Sequence, residues 1–460
     1  MNLITNYNYY ENDSLSKEDL KGVFNKSPNK VIKDLFSSVY ELTNKSENLN
    51  NFKIFEFKNK KKKYIEDKKL ILKLYSRKEL DGKIKYFIQT GLYTGIINYN
   101  KYKFNIKTNY GNNFLKRMLN FANDIYLDND FLPASKKDDL NEFQFVLVYL
   151  FLQSFEKAAI LGLPNEYQLQ SQRSHKVRGK INLNEYLKKD IPFKGKISTT
   201  CREQNYVQSI IDVLHLTLRL IENKFGKEIN YNLLGVKQLV KQHYSGHFIN
   251  IETILKAKNH HSLNNPMFSS YRKVLEYAEI LLLNYDLEPS ELSNNLNTTG
   301  YLIDISQLFE VYLEKLFRYH LTDWTIYSQT ELYLYNDKFY NRLMYPDLIL
   351  KHRENGRIIV LDAKFKKMSF CKKDIDREDF YQIHTYIQYF EPNVIMGGLI
   401  YPLNEDPNVE NTYAQSLFGH ENRIDTKFII DGIYIAKEMS IEEIKKSEEC
   451  FIERFQNFIK

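Results

Sequence analysis

Two short apolar runs in the last third of the chain, residues 343–351 and 357–365, carry three side chains able to do chemistry: Asp347, Asp362 and Lys364. Between them lies His352-Arg353-Glu354-Asn355-Gly356, and Asn-Gly flanked by apolar segments signals a β-hairpin. A two-residue turn at Asn355-Gly356 pairs Glu354 with Arg357, which sets Asp347 opposite Lys364 and Ile349 opposite Asp362. Side chains alternate along a strand, so all three charged groups project from one face. Leu348, Leu350, Leu361 and Ala363 occupy the other, as a core-facing surface requires. Two carboxylates and a lysine on such a hairpin would cost on the order of several kcal/mol if left idle. The pattern points to a magnesium-dependent centre that cleaves phosphodiesters.

Pro346-Asp347 followed by Asp362-Ala363-Lys364 resembles the PD-(D/E)xK nuclease signature. Magnesium is a hard cation that prefers carboxylate oxygens, keeps several waters and bridges to substrate phosphate. The resemblance implies that Asp347 and Asp362 hold the metal, with the Ala363 carbonyl as a further ligand and manganese able to substitute. Lys364 would orient or deprotonate the attacking water and balance charge in the transition state.

Other elements must position these groups. Residues 376–390 read as an amphipathic helix, with Phe380, Ile383, Ile387 and Phe390 at helical spacing and acidic residues at its start, where they suit the dipole. Gln382 and Tyr386, four apart, share a face. The pair resembles the Gln-x-x-x-Tyr motif that follows the DxK strand in one branch of these nucleases, where it touches the active site or the DNA backbone. His384 falls on a different face. Upstream, residues 304–317 form a helix whose Glu310 is the candidate for the carboxylate such nucleases place before the hairpin, with Glu314 a competitor by type.

The 460 residues allow two or three domains. A net charge of +7 permits a polyanionic partner without demanding one. Cys201, Cys371 and Cys450 are widely spaced and form no metal or redox motif, which fits a reducing cytoplasm. No apolar signal core and no membrane-length apolar run is present, so a cytoplasmic protein with no membrane partner is expected. There is no Gly-x-x-x-x-Gly-Lys-Ser/Thr phosphate loop, so nucleotide-driven motion must come from a partner.

The expected fold is α+β and multidomain. Residues 1–110 form a β-rich module, with strands across 84–106 and a basic loop at Lys58, Lys60, Lys61, Lys62 and Lys63. Residues 111–293 are mainly helical, with helices near 112–159, 206–224 and 267–285. A polar seam at 294–299 precedes an α/β nuclease domain over 294–460. That domain closes with a helix opened by the capping box of Ser440 and Glu443.

In order, these segments resemble McrC, the nuclease subunit of modification-dependent restriction systems. The matching residues are Arg178-Gly179-Lys180-Ile181, Lys196-Ile197-Ser198-Thr199-Thr200 with Glu203, the helix to Leu218 and the 308–317 helix. The two active-site strands, Tyr381-Gln382 with Tyr386, and Gly397-Gly398-Leu399-Ile400-Tyr401-Pro402 complete the set. Gln208 stands where that family has Asn. The resemblance implies an endonuclease acting on double-stranded DNA. It would dock through its middle region on a hexameric McrB-like AAA+ GTPase and stimulate its hydrolysis. Arg173 and Arg178 lie in that docking region. Two other readings remain open: a self-sufficient nuclease of repair or recombination, and a catalytically idle activator scaffold.

Overall fold

The computed structural model describes residues 2–10, 35–37, 39–46, 52–55, 68–78, 80, 82, 84–99, 102–122, 142–225, 233–285, 298–336, 341–366, 368, 375–407, 413–416 and 426–459. The basic run at Lys58 to Lys63, Cys371 and most of the 294–299 seam lie outside these residues. The chain is mixed α/β with several sheets.

It forms two compact units rather than the three expected. One joins Met1–Asn129 to Asn295–Lys460, and the other is Asp130–Asn294. The reason is a strand that the polar seam concealed. Thr298–Asp304 pairs antiparallel with Tyr93–Tyr99 and parallel with Phe52–Phe55, inside a five-stranded sheet completed by Tyr102–Lys107 and Asn2–Ile4. Leu302 packs in one core with Leu72, Leu74, Ile88, Ile97, Phe104 and Ile106. The β-rich start of the chain and the site-bearing part therefore share one body, and the boundary expected at 110/111 does not divide them.

The second sheet of importance in this unit has six strands, in the order Trp324–Ser328, Leu348–His352, Ile358–Ala363, Val394–Leu403, Lys427–Tyr434 and Tyr413–Ser416. Ile358–Ala363, Val394–Leu403 and Lys427–Tyr434 run parallel. Parallel neighbours need a crossover connection, and the helix Arg377–Phe390 supplies it. Its Ile383, Tyr386 and Ile387 pack on Val360, Val394 and Leu399. The helix lies close because Gly397 has no side chain: a Cβ there would stand 2.2 Å from the Ile387 side chain.

The hairpin register differs from expectation by two residues. Leu348 pairs with Leu361 and Ile349 with Val360, so Asp362, not Lys364, falls opposite Asp347. A two-residue type I′ turn needs positive φ at both central residues, and here only Gly356 has it, at +68°. A longer loop forms instead, with the Gly356 N–H donating to the His352 carbonyl and the His352 N–H to that of Arg357. A slip of two keeps every side chain on its expected face. The face that carries Asp362 is not open, however, because Val360, two residues earlier in the strand, is fully buried beneath the crossover helix.

In the second unit, the expected helices are present at Glu142–Ala159, Gln208–Phe225 and Tyr271–Tyr285, joined by Leu234–Gln242 and Ile251–Lys258. A three-stranded antiparallel ribbon was not expected there. Asn165–Ser174 pairs along its whole length with Ile197–Tyr206, which also pairs with Lys180–Ile181. Its long strand is exposed or half-buried throughout, so it lacks the alternation that burial of one face would impose.

Three helices of the first unit are tied by a buried ion pair. Arg117, on Gly111–Ala122, donates to both carboxylate oxygens of Glu448, on Ile441–Ile459, at 2.9 and 2.7 Å. The hydroxyl of Tyr312, on Ile305–His320, donates to the same carboxylate at 2.6 Å. Removing one partner of such a pair strands a charge in the interior. Arg117→Met should therefore lower unfolding free energy by about 3–5 kcal/mol. Adding Glu448→Met should restore most of it. Denaturant titration of the parent, the single variant and the double variant checks this, and a single variant as stable as the parent refutes it.

Candidate active site

The hairpin and its crossover helix converge on Lys364. Its ammonium lies 2.6 Å from Asp362 Oδ2 and 3.3 Å from Asp379 Oδ1, and it donates to Gln382 Oε1 at 3.1 Å. Gln382 in turn donates to the Tyr386 hydroxyl at 2.8 Å. Asp347 Oδ2 accepts from the Ala363 N–H at 2.9 Å, so the turn at Pro346-Asp347 is latched to the neighbouring strand. Asp347, Asp362, Ala363, Lys364, Gln382 and Tyr386 are thus in one place, as the sequence spacing required. Ala363 contributes its N–H to the latch.

The two upstream carboxylates separate clearly. Glu310 is buried and its charge acts on Asp362. Glu314 forms a surface ion pair with Arg318 at 2.8 Å. His384 lies apart from the chemistry: Nδ1 bonds the Phe380 carbonyl and the ring stacks against Phe380 and Phe428.

Asp379 is the residue that sequence reasoning passed over. It stood among the acidic residues credited to the helix dipole, yet it is buried and pairs with both Lys364 and Lys366. Its spacing to Gln382 and Tyr386, three and seven residues, was the available signal, because those intervals share a helix face.

Burial sets the electrostatics. It raises the Asp362 pKa above the usual carboxylate range, the Glu310 charge adds to this, and the Lys364 ammonium opposes both without cancelling them. Burial pulls Lys364 the other way, but the carboxylates of Asp362, Asp347 and Asp379 outweigh it and its pKa is raised. Lys364 is therefore a fixed cation. Burial likewise raises the Tyr386 pKa, aided by the Asp362 charge, so its phenol stays protonated.

The donor set suits a hard cation. Asp362 is 2% exposed, and its Oδ2 meets the Lys364 ammonium at 2.6 Å. A buried carboxylate so placed, across from Asp347, fits magnesium, which takes one or two carboxylates and retains waters. Glu310 does not join them in a tight triad: no three of their oxygens lie within 4.8 Å of one another. Beside the site runs an open cleft of about 640 Å³, lined by Arg342, Tyr345, Tyr381, Gln382, Thr385 and Tyr386.

In the second unit, Arg173 is committed to internal contacts. It donates to Asp190 Oδ1 and to the Lys189 carbonyl, each at 2.6 Å, while fully buried Asp190 also accepts from the Ser198 N–H. Arg178 is largely exposed and lies 4.0 Å from Glu203. Gln208 donates to Asp212 and to the His243 carbonyl at the start of its helix.

The family pattern described as McrBC 5-methylcytosine restriction system component matches residues 88–402. The chain belongs to this McrBC family. Among solved structures, it is similar to a chain of the refined half-complex from a tetradecameric assembly of Thermococcus gammatolerans McrB AAA+ hexamers with bound McrC. The likeness covers 99% of each chain at 14% identity, with a TM-score of 0.55. A chain of the T. gammatolerans McrBC complex is matched over 70% of this chain and 88% of its own, at 18% identity and TM-score 0.35. No curated protein matches the sequence. Among the described residues, no helix is long and apolar enough to cross a membrane.

A carboxyl whose pKa is raised by folding contributes stability when protonated, and that contribution is lost as pH rises through the folded value. Asp362→Asn, uncharged at every pH, should thus be more stable than the parent at neutral pH. The difference should shrink as the medium is acidified. Denaturant midpoints at neutral and mildly acidic pH test this, and a neutral-pH midpoint below that of the parent would contradict it.

Proposed function

We propose that this McrBC-family chain is the DNA-cleaving subunit of a restriction system, using a PD-(D/E)xK-type centre at Asp347, Asp362 and Lys364. The observation that carries the reading is the network that runs from buried Asp362 through half-buried Lys364 and Gln382 to Tyr386. An idle scaffold has no need to hold a desolvated carboxylate with a raised pKa behind Gln382 and Tyr386, which line a cleft.

Asp347 and Asp362 would hold a magnesium ion, with Glu310 near enough to tune their charge. When bound, the ion supplies charge neutralisation at the scissile phosphate and a more acidic water. Lys364, whose pKa its three carboxylate neighbours raise, orients the nucleophile and stabilises negative charge on phosphate. Gln382 fixes the Lys364 ammonium, and Tyr386 fixes Gln382. The neighbouring cleft presents Arg342 and Tyr381 to a phosphodiester backbone.

The partner reading follows from the family. With no phosphate loop of its own, the chain would depend on a McrB-like AAA+ GTPase and raise its hydrolysis rate. The Asp130–Asn294 unit, which holds the exposed ribbon and Arg178, is the part assigned to docking.

Full-length Lys364→Ala, assayed with its partner, DNA, GTP and magnesium, should cleave at least about 10²-fold more slowly. The same protein should stimulate GTP hydrolysis like the parent, since docking residues are untouched. Undiminished cleavage would refute the site. Loss of both functions in a folded protein would refute the separation of docking from chemistry.

A further inference from the structure

A second cluster of ligating side chains lies in the Asp130–Asn294 unit, away from the residues of the cleavage centre in sequence and outside its chemistry. Glu166 stands at the start of the ribbon strand Asn165–Ser174, and His260 and His261 open the short 3₁₀ turn His261–Asn264 between two helices. Glu166 Oε2 lies 3.0 Å from His261 Nε2 and 3.7 Å from His260 Nε2, and one ligand atom from each residue falls within 4.8 Å of the other two. Among the described residues this is the one such group of three. We propose that Glu166, His260 and His261 form a zinc-binding site that clamps the ribbon to the 260–264 turn.

The spacing is what a tetrahedral ion needs. With metal–nitrogen and metal–oxygen distances near 2.0–2.2 Å, neighbouring ligand atoms of a tetrahedron stand about 3.3–3.6 Å apart. The two separations, 3.0 and 3.7 Å, bracket that range. Two imidazoles and one carboxylate make a donor set that suits zinc better than magnesium, which prefers oxygen alone. The fourth position falls to water.

The groups behind the ligands support the same reading. Metal-bound histidines characteristically donate their other ring N–H to a fixed acceptor, and bound carboxylates are themselves hydrogen-bonded. His260 Nδ1 accepts from the Ser262 N–H at 3.3 Å and lies 2.9 Å from Ser262 Oγ, contacts that fix the ring against the 260–264 turn. Gln168 Nε2 donates to Glu166 Oε1 at 2.7 Å, which turns Oε2 towards both histidines. The two rings stand 4.5 Å apart at 33°, so adjacent residues present their Nε2 atoms to one point without stacking flat.

The test uses full-length protein stripped with a chelator and titrated with zinc by calorimetry. Asp362→Ala serves as the background, so that the cleavage centre cannot take up the ion. One equivalent should bind. His261→Ala, a largely exposed position whose loss leaves the core intact, should weaken that binding at least about tenfold, as should Glu166→Gln. Gln168→Ala should weaken it by a smaller factor. Cobalt loaded in place of zinc should give the intense visible bands of a tetrahedral site in the background protein and lose them in His261→Ala. Zinc affinity unchanged by both His261→Ala and Glu166→Gln, or no binding to the background protein, would overturn the proposal and leave a simple hydrogen-bonded pair.

Discussion

The region around the candidate site is arranged around the cost of keeping Asp362 in the interior. A carboxylate in a central strand loses its hydration, and no hydrogen bond from the sheet can replace it. Lys364, two residues on and just past the end of that strand, answers the charge at 2.6 Å. That lysine needs an anchor, which the crossover helix provides from Asp379 and Gln382. The helix can come so close only because Gly397 leaves room for Ile387. A single buried charge thus dictates the neighbours of the strand, the face of the helix and a glycine in the next strand.

How much of this could be read from sequence depended on whether the signal was local and periodic. The Asp347, Asp362, Lys364 set was legible because strand alternation is rigid, and a register wrong by two residues still left each side chain on its proper face. The Gln382–Tyr386 pair was legible for the same reason on a helix. Asp379 was hidden by a competing explanation, since acidic residues at a helix start already have a use. The ribbon Asn165–Ser174 was hidden because neither face is fully buried, so no apolar rhythm marks it. The strand Thr298–Asp304 was hidden because its partners, Phe52–Phe55 and Tyr93–Tyr99, are some two hundred residues away in sequence. Pairing at that range leaves no trace in a local window.

The two units assign different physical tasks to different parts of the chain. The first holds the charges that must be desolvated, and it does so inside extensive sheet and helix cores. The second carries its polar chemistry on the outside, on a ribbon with Tyr167, Leu169 and Ile181 exposed and a bracing contact from Arg173 to buried Asp190. Most side chains of that ribbon remain exposed or half-buried.

The placement of Thr298–Asp304 also sets a temporal order. On a ribosome the chain emerges from its start, and domains tend to fold as units once complete. Residues 52–55 and 93–99 emerge early but cannot close their sheet until the strand that lies between them has been made. The Asp130–Asn294 segment is complete before that strand appears. The part of the molecule that gathers Asp347, Asp362 and Lys364 is therefore assembled last. A nascent chain, or one halted midway, has not yet gathered these three side chains, and the threading of the sheet is in this sense a built-in delay on their assembly.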